Sequence, residues 1–254
     1  MLYTLLRRTE ETFAKDQFQS LAQRALKDCT GVVTRKRLSM ESMASMISEE
    51  HHNASDWPYV VVRGYERIVE KLSRSGSHTN MGFAPIVHAV GTEQEKWEDF
   101  AYDYFDRRIS SGEFPNTTGI NKFGKGIWRL EKTENNTMMR IHDNDMSRDI
   151  LTPIIQCCVD NPGDKILLYN LYSERHRRET MEEILECSRR MQEPGMVERY
   201  PDEECFALTE FVRIVRFNQV RASSSIMFAP IKLADGEVTG FILSPMVWDE
   251  IFVS

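Results

Sequence analysis

The sequence predicts an α/β protein of the α+β type, in which one long N-terminal helix precedes antiparallel sheets. Residues 1–57 contain no proline, and apolar or small side chains recur at steps of three and four over 22–47, the spacing of one helix face. Short apolar runs at 83–90 and 127–130 are typical of buried strands. Two more apolar runs flank Asp235-Gly236, a dipeptide that favours a tight β-hairpin.

The predicted N-terminal helix is longer than ordinary globular helices. It ends where cap-type residues cluster, at 51–56. A helix of this length must pack along a domain or pair with another copy of the chain, because an isolated helix is only marginally stable in water. A core helix and a signalling stalk both fit the pattern.

Shorter helices are predicted at 65–72, 97–108 and 178–192. The second follows Thr92-Glu93-Gln94-Glu95, which has the form of a capping box. The third is amphipathic and ends before Pro194-Gly195.

The segments between these helices differ in their patterns. Residues 166–172 are rich in Ile, Leu and Tyr, which predicts a strand. Residues 110–126 carry clustered Ser, Gly, Pro, Asn and Thr, which is typical of a loop. Residues 131–149 are polar and show no clear period, so we expect irregular structure there.

Composition limits the class of protein. The 254 residues are enough for one large domain or for two small ones joined by a helix. The 32 basic and 39 acidic side chains give a net charge of −7, which repels phosphate backbones, so we expect no nucleic acid partner. No run of 18 apolar residues occurs, and contact with a membrane is therefore expected only through flanking segments outside this sequence.

The five cysteines form no recognisable disulfide framework. They are an odd and sparse set without a CxxC pair. Cys157 and Cys158 are adjacent, and adjacent cysteines rarely bridge each other. One bridge could form in an oxidising compartment, but the spacing does not determine which cysteines it would join.

Three glycosylation sequons begin at Asn53, Asn116 and Asn135. Roughly one such match is expected by chance from ordinary Ser and Thr usage. The excess favours an extracellular surface that carries glycans, with chance matches as the alternative.

Motifs for catalysis or cofactor binding are missing from the sequence. It holds no GxxxxGK[ST], HExxH or GxSxG pattern. Residues 143–147 resemble the start of a calcium-binding loop, but Arg148 replaces the required glycine and Ile154 the required glutamate. We therefore predict no metal, no cofactor and no catalytic residue.

A cysteine-dependent enzyme is the one catalytic alternative. Cys157 or Cys158 would be its nucleophile, with His142 or His176 as the base. Small buried thiols are the more ordinary interpretation of these cysteines, because unpaired cysteine is common in protein cores.

Several segments together resemble a known family of sensors. They are the long helix leading into Trp57-Pro58, the helix at Tyr65-Glu66-Arg67, Gly82-Phe83-Ala84-Pro85-Ile86-Val87, Trp97-Glu98-Asp99-Phe100, Leu151-Thr152-Pro153-Ile154-Ile155-Gln156, Ile166-Leu167-Leu168-Tyr169-Asn170-Leu171-Tyr172-Ser173, Phe228-Ala229-Pro230-Ile231, Gly240-Phe241 and Trp248. These segments resemble the extracellular sensor of receptor-type guanylate or adenylate cyclases of diatoms and related algae. That sensor is similar to the CHASE domain of cytokinin-type histidine kinases. One departure is Ile155, which stands where the family pattern has tryptophan before Gln156.

The resemblance implies a stalk helix at 1–56, a membrane-distal PAS-like lobe at 57–192 and a smaller membrane-proximal PAS-like lobe at 193–254. It implies a receptor at the cell membrane whose extracellular module is soluble as the fragment given. The module would pass the binding of a small ligand to an intracellular catalytic domain absent from this chain. Binding would shift the stalk helices of a homodimer, which is a population shift between two states.

The resemblance also implies a ligand pocket in the distal lobe. The residues expected to line it are Trp128, Tyr169, Asn170 and Tyr172, with Phe83 and Pro153 as wall. Two other functions fit the sequence: a dimerisation or interaction module without a small-molecule ligand, and the cysteine-dependent enzyme described above.

Overall fold

The structure, a computed structural model, describes residues 2–76, 81–113, 126–135, 137–145, 147–157, 166–193, 205–210, 212–213 and 223–248. The α-helices among these residues are α1 (Leu2–Glu50), α2 (Tyr65–Gly76), α3 (Glu93–Ser110) and α4 (Arg175–Met191). The strands are β1 (Gly82–Pro85), β2 (Val87–His88), β3 (Trp128–Lys132), β4 (Met138–His142), β5 (Ile150–Leu151), β6 (Gln156–Cys157), β7 (Ala207–Leu208), β8 (Val212–Arg213), β9 (Ser223–Lys232) and β10 (Val238–Val247). The predicted mixture of a long N-terminal helix with antiparallel sheets is confirmed.

In the main sheet, the first strand along the chain, β1, pairs with the last, β10. The strands follow the order β6-β1-β10-β9-β7 with antiparallel pairings, and β8 also pairs with β9. The predicted hairpin is confirmed as β9 and β10, and Leu233 N–H donates to Glu237 O at 2.9 Å across its turn. Gly236 has a φ of +87° in this turn, a backbone conformation that glycine adopts without steric cost.

Backbone hydrogen bonds extend this sheet toward the β3–β4 hairpin. Ile155 N–H donates to Phe83 O of β1 at 3.0 Å. Leu168 N–H donates to Ile154 O at 2.8 Å, and Trp128 N–H of β3 donates to Leu168 O at 3.0 Å. The hairpin is therefore linked to the main sheet through two short segments that lie between them.

The main sheet also contains strands from both of the ranges that the family resemblance assigns to separate lobes. Strand β1 lies within 57–192 and β10 within 193–254, and they pair from Gly82 opposite Leu243 to Pro85 opposite Gly240. The division into two lobes stays a prediction.

Helix α1 packs its C-terminal half against β9 and β10. Met40, Met43 and Ile47 are fully buried, and their spacing places them on one helix face. At one end of this contact Lys36 Nζ donates to Pro245 O, and at the other Ser48 Oγ donates to Lys232 O. The helix therefore runs in the same direction as β9 and opposite to β10.

The N-terminal half of α1 projects past the end of the sheet at which β10 ends. At 1.5 Å per residue, a helix of 49 residues is about 73 Å long. The ten residues of β10 span only about 33 Å. No helix in the described part of the chain is both long and apolar enough to cross a bilayer.

Three local predictions are corrected by the structure. Residues 131–149 are not wholly irregular, because they include β4, whose residues are exposed or only half-buried and so give no apolar alternation. Residues 166–172 do not form a regular strand: Leu168 has a φ of +63°, and a 3₁₀ helix follows at Leu171–Ser173. Thr92 is the N-cap residue of α3, but its side chain makes no capping bond.

Residues 114–125 of the predicted loop lie outside the described residues.

Candidate functional site

The predicted aromatic residues Trp128 and Tyr169 are in contact. Trp128 begins β3 and forms a parallel bridge with Tyr169. Their ring centroids are 4.7 Å apart and the ring planes are tilted by 46°. Trp128 Nε1 donates to Leu167 O at 2.7 Å. Both rings are buried, so this hydrogen bond and the strand pairing hold the aromatic pair in one arrangement.

A guanidinium group contacts each ring of the pair. Arg140, which lies opposite Leu130 in the β3–β4 hairpin, has its Cζ 3.5 Å from the centre of the Trp128 ring. Arg177 of α4 has its Cζ 5.1 Å from the centre of the Tyr169 ring, and its Nη1 donates to Tyr169 Oη at 2.8 Å. Both ring distances lie within the range of cation–π attraction.

The phenols of Tyr169 and Tyr172 donate to carboxylates. Tyr169 Oη donates to Glu174, and Tyr172 Oη donates to Glu182 Oε1 at 2.8 Å. Burial raises the pKa of both phenols, and the neighbouring carboxylates raise it further. Both groups therefore stay protonated at neutral pH and keep their role as donors.

Asn170 anchors polar groups on the other side of the same segment. It is fully buried, and its Oδ1 accepts from Thr152 N–H at 2.9 Å and from Tyr172 N–H at 3.1 Å. Its Nδ2 donates to Asp143 Oδ2 at 2.8 Å. Because neighbouring side chains in an extended segment point to opposite sides, these groups lie across the segment from the aromatic pair.

Asp143 is a fully buried carboxylate between two arginines. Its Oδ2 accepts from Arg148 Nη1 at 2.9 Å, and its Oδ1 lies 3.6 Å from Arg129 Nε. Asp143 Oδ1 and Arg129 Nε are both buried, and neither has a hydrogen-bond partner among the described residues. The two arginines balance a charge that would otherwise be costly to bury.

The two predicted wall residues lie in different places. Pro153 is buried and forms an antiparallel bridge with Asn170, so it belongs to the cluster. Phe83 is buried on β1 in the main sheet, where its ring meets that of Trp57 edge-on at 6.0 Å. The structure thus brings together five of the six predicted residues and sets Phe83 in the core of the main sheet.

The structure supplies the cysteine pairing that the sequence leaves open. Cys187 of α4 forms a disulfide with Cys205, with their Cα atoms 5.5 Å apart. Two of the predicted glycosylation sites, Asn53 and Asn135, are exposed. Asn116 lies outside the described residues.

The residues of the cysteine-enzyme hypothesis have contacts of their own. Cys157 is buried on β6, and Cys158 lies outside the described residues. His142 Nε2 is 3.1 Å from Glu98 Oε1, and His176 Nδ1 is 3.9 Å from another glutamate carboxylate. Over the residues that can be described, no group of three or more His, Cys, Asp and Glu side chains is placed to hold a metal ion.

Sequence reasoning missed the charged half of the cluster. The sequence pattern marks Asp143 only as the first residue of an incomplete calcium loop, and it gives Arg177 no role beyond its place just before the third predicted helix. One signal was available in Arg129, because an arginine inside an apolar strand needs an acidic partner when the strand is buried. The partner itself could not be named, since Asp143 follows β4, which the sequence does not reveal as a strand.

The cluster combines flat ring faces with guanidinium donors and a buried carboxylate. The ring faces and the guanidinium of Arg140 can stack on a small planar molecule, whereas Asp143 supports the same segment from its other side. Neither a known family model nor a curated protein sequence matches the chain.

Proposed function

We propose that this chain is an extracellular ligand-sensing module of the CHASE-like type, part of a membrane receptor with a nucleotide cyclase or related output domain inside the cell. A small ligand would bind at the Trp128–Tyr169 cluster, and α1 would act as the stalk that passes on the response. The finer fold in this proposal is two PAS-like lobes, at 57–192 and 193–254.

The observation that carries the proposal is that α1 and β10, which run in opposite directions, have their outer ends at the same end of the sheet. The N-terminal half of α1 leaves the sheet at the end where β10 finishes. Flanking segments that run to one bilayer must leave a sensor from the same side. Lys36 also donates a hydrogen bond to Pro245 O near this end of the sheet, so a shift of the stalk would displace the end of β10.

A disulfide bond and two exposed glycosylation sequons favour the extracellular side. Disulfides persist in oxidising compartments and are rare in the cytosol, and the described residues include the Cys187–Cys205 bond. Asn53 and Asn135 are exposed, as an acceptor for a glycan has to be.

Arg140 indicates how a ligand would reach the cluster. Its guanidinium covers the Trp128 ring at 3.5 Å, which is the spacing of a stacked planar group, and Arg140 is only half-buried. A planar ligand would take this position on the ring, and the released guanidinium could then bind a polar edge of the ligand. The expected ligand is therefore small and at least partly planar.

A thermal-shift screen tests the ligand site. We expect a small planar metabolite to raise the melting temperature of the wild-type chain, by about 2–4 °C for each kcal/mol that the bound ligand adds to the free energy of unfolding in a chain of this size. The Trp128→Leu variant should lose at least about tenfold in affinity for the same compound, because it keeps an apolar side chain but has no flat face.

The matched control is Trp57→Leu, the same substitution at a half-buried position that packs against the main-sheet core beside Phe83. It should lower the melting temperature of the unliganded protein but leave the affinity near that of the wild type. Equal affinity in the Trp128→Leu and wild-type proteins would show that the ligand binds elsewhere.

An exposed apolar stripe on α1 supports a homodimer through the stalk. Phe18, Leu21 and Leu26 are between 65% and 74% exposed. At 100° per residue, their angular positions around the helix axis fall within about 80° of that of Ile47. They therefore lie on the same helix face as Ile47, but in this part of α1 that face is exposed. A second copy of α1 would bury this stripe, as the two strands of a coiled coil do.

Light scattering after gel filtration tests the stalk dimer. We expect the wild-type chain to be a dimer and the Leu21→Glu/Leu26→Glu variant to be a monomer, because each substitution would place an unpaired charge in the seam. Leu38→Glu is the control: Leu38 is also exposed on α1, but it lies nine residues from Ile47 and so on the opposite side of the helix. A monomeric wild-type chain at micromolar concentration would argue against the stalk dimer.

The same stripe favours a second candidate function, an interaction module without a small-molecule ligand. In that case the light-scattering result would be as described above, but no compound of the screen would stabilise the protein. The two experiments together therefore separate the sensor from the interaction module.

A further inference from the structure

Helix α4 contacts the candidate site at three points along its first half. Arg177 Nη1 donates to Tyr169 Oη at 2.8 Å, and Glu182 Oε1 accepts from Tyr172 Oη at 2.8 Å. Met181 Sδ is 3.8 Å from the hydroxyl of Thr152, inside the buried core. A ligand that moves the aromatic pair would therefore move the N-terminal half of α4.

The second half of α4 is bonded to a segment that reaches α1. Cys187 is joined to Cys205, and the next residue, Phe206, has its ring centre 5.9 Å from the guanidinium carbon of Arg37 on α1. Strand β7 follows directly and pairs with β9, against which α1 packs. A helix of 17 residues is a rod of about 25 Å, long enough to connect the two regions.

We infer that the Cys187–Cys205 disulfide is the link that couples the candidate site to the stalk helix. A covalent bond holds its two ends at a fixed separation, whereas packed side chains can slide past each other. A displacement of α4 at Tyr169 is thus transmitted through Cys205 to Phe206, and from Phe206 to Arg37. The Trp128–Tyr169 cluster matters to signalling only under the function proposed above, but the coupling itself is a property of the chain without ligand.

Hydrogen exchange tests this coupling in a double-mutant cycle that needs no ligand. Arg177→Met perturbs α4 at the site while keeping an apolar side chain in place of the arginine stem. In the disulfide-bonded protein we expect it to speed amide exchange in α1 residues 36–50 by about threefold to tenfold, a range typical of coupled elements. In the Cys187→Ser/Cys205→Ser background the same substitution should leave exchange in α1 unchanged.

Arg175→Met is the matched control on the same helix. Arg175 is exposed and its partner is Glu179 of α4, so its loss should not reach α1 in either background. Equal acceleration by Arg177→Met with and without the disulfide overturns the inference, because the coupling would then run through the packing of α4 on β9. No acceleration in either background overturns it as well.

A second variant keeps the test decisive if the serine variant does not fold, which circular dichroism would show. Phe206→Leu retains the disulfide and removes only the ring beside Arg37. In this background the effect of Arg177→Met on α1 should fall by at least half, and an undiminished effect rules out the route through Phe206. A negative ligand screen would count against the sensor function but would leave this result unaffected.

Discussion

Replacing Gln156 with leucine is expected to destabilise the protein by about 3 to 5 kcal/mol, because buried groups that lose their hydrogen bonds cost about 1 to 3 kcal/mol each. Gln156 is buried on β6, and its side-chain amide forms hydrogen bonds with both backbone groups of Val62, as a neighbouring strand would. Its Oε1 accepts from Val62 N–H at 2.7 Å, and its Nε2 donates to Val62 O at 3.0 Å. The same Nε2 donates to Tyr104 Oη at 2.9 Å.

Leucine fills the volume of Gln156 and leaves these partners buried without replacements. Val62 is itself buried, so water cannot easily take over its two backbone bonds. Urea denaturation measures the loss as a lower midpoint with an unchanged slope. The control is Gln192→Leu at the exposed C-cap of α4, which should change stability by less than about 0.5 kcal/mol. If Gln156→Leu cost as little as this control, the hydrogen bonds to Val62 would not contribute to the fold.

Asp143→Ala is the second substitution from which we expect a large effect, a loss of about 3 to 5 kcal/mol, the usual cost of leaving a buried charge without its partner. Asp143 is fully buried and accepts from both Arg148 and Asn170. Alanine would leave the Arg148 guanidinium, which is 12% exposed, and the Asn170 amide without this acceptor. The cavity left by the carboxylate adds to the cost.

Two further variants separate the causes of this loss. Asp143→Asn keeps the shape and one acceptor oxygen, so it should lose only the part due to charge and remain more stable than the alanine variant. Asp145→Ala removes a second partner of Arg148, at 3.3 Å, from a position that is partly exposed, and its midpoint in urea should stay close to that of the wild type. An Asp143→Ala midpoint equal to that of Asp145→Ala would contradict a structural role for the buried carboxylate.

The loss of Asp143 should also weaken the candidate site. Asn170 lies between Asp143 and the backbone of Thr152 and Tyr172, so its release would loosen the segment that presents Tyr169. A compound found in the screen should therefore bind Asp143→Ala more weakly than the wild type, even though the carboxylate lies across the segment from the rings. Isothermal titration with that compound would measure the difference.

Local signals predicted the parts of the fold that depend on nearby residues. Helix α1 follows from the absence of proline and from steps of three and four, and the β9–β10 hairpin follows from Asp235-Gly236 between two apolar runs. Strand β4 gives no such signal, because its side chains are largely solvated and need not alternate. The 166–172 segment misleads for the opposite reason: its apolar residues indicate burial, and burial does not require a regular strand.

The sequence by itself determined the long helix and the hairpin, since each rests on short-range spacing or on a motif that can be read along the chain. The grouping of Trp128, Tyr169 and Asn170 as candidates came only from the resemblance to a sensor family. Only the tertiary structure decided that Asp143 lies buried between arginines and that Cys187 bonds to Cys205. It also decided that α1 and β10 leave the sheet at the same end. The physical reason is that these features depend on pairings between residues far apart in sequence, and such pairings form only when the whole core closes around them.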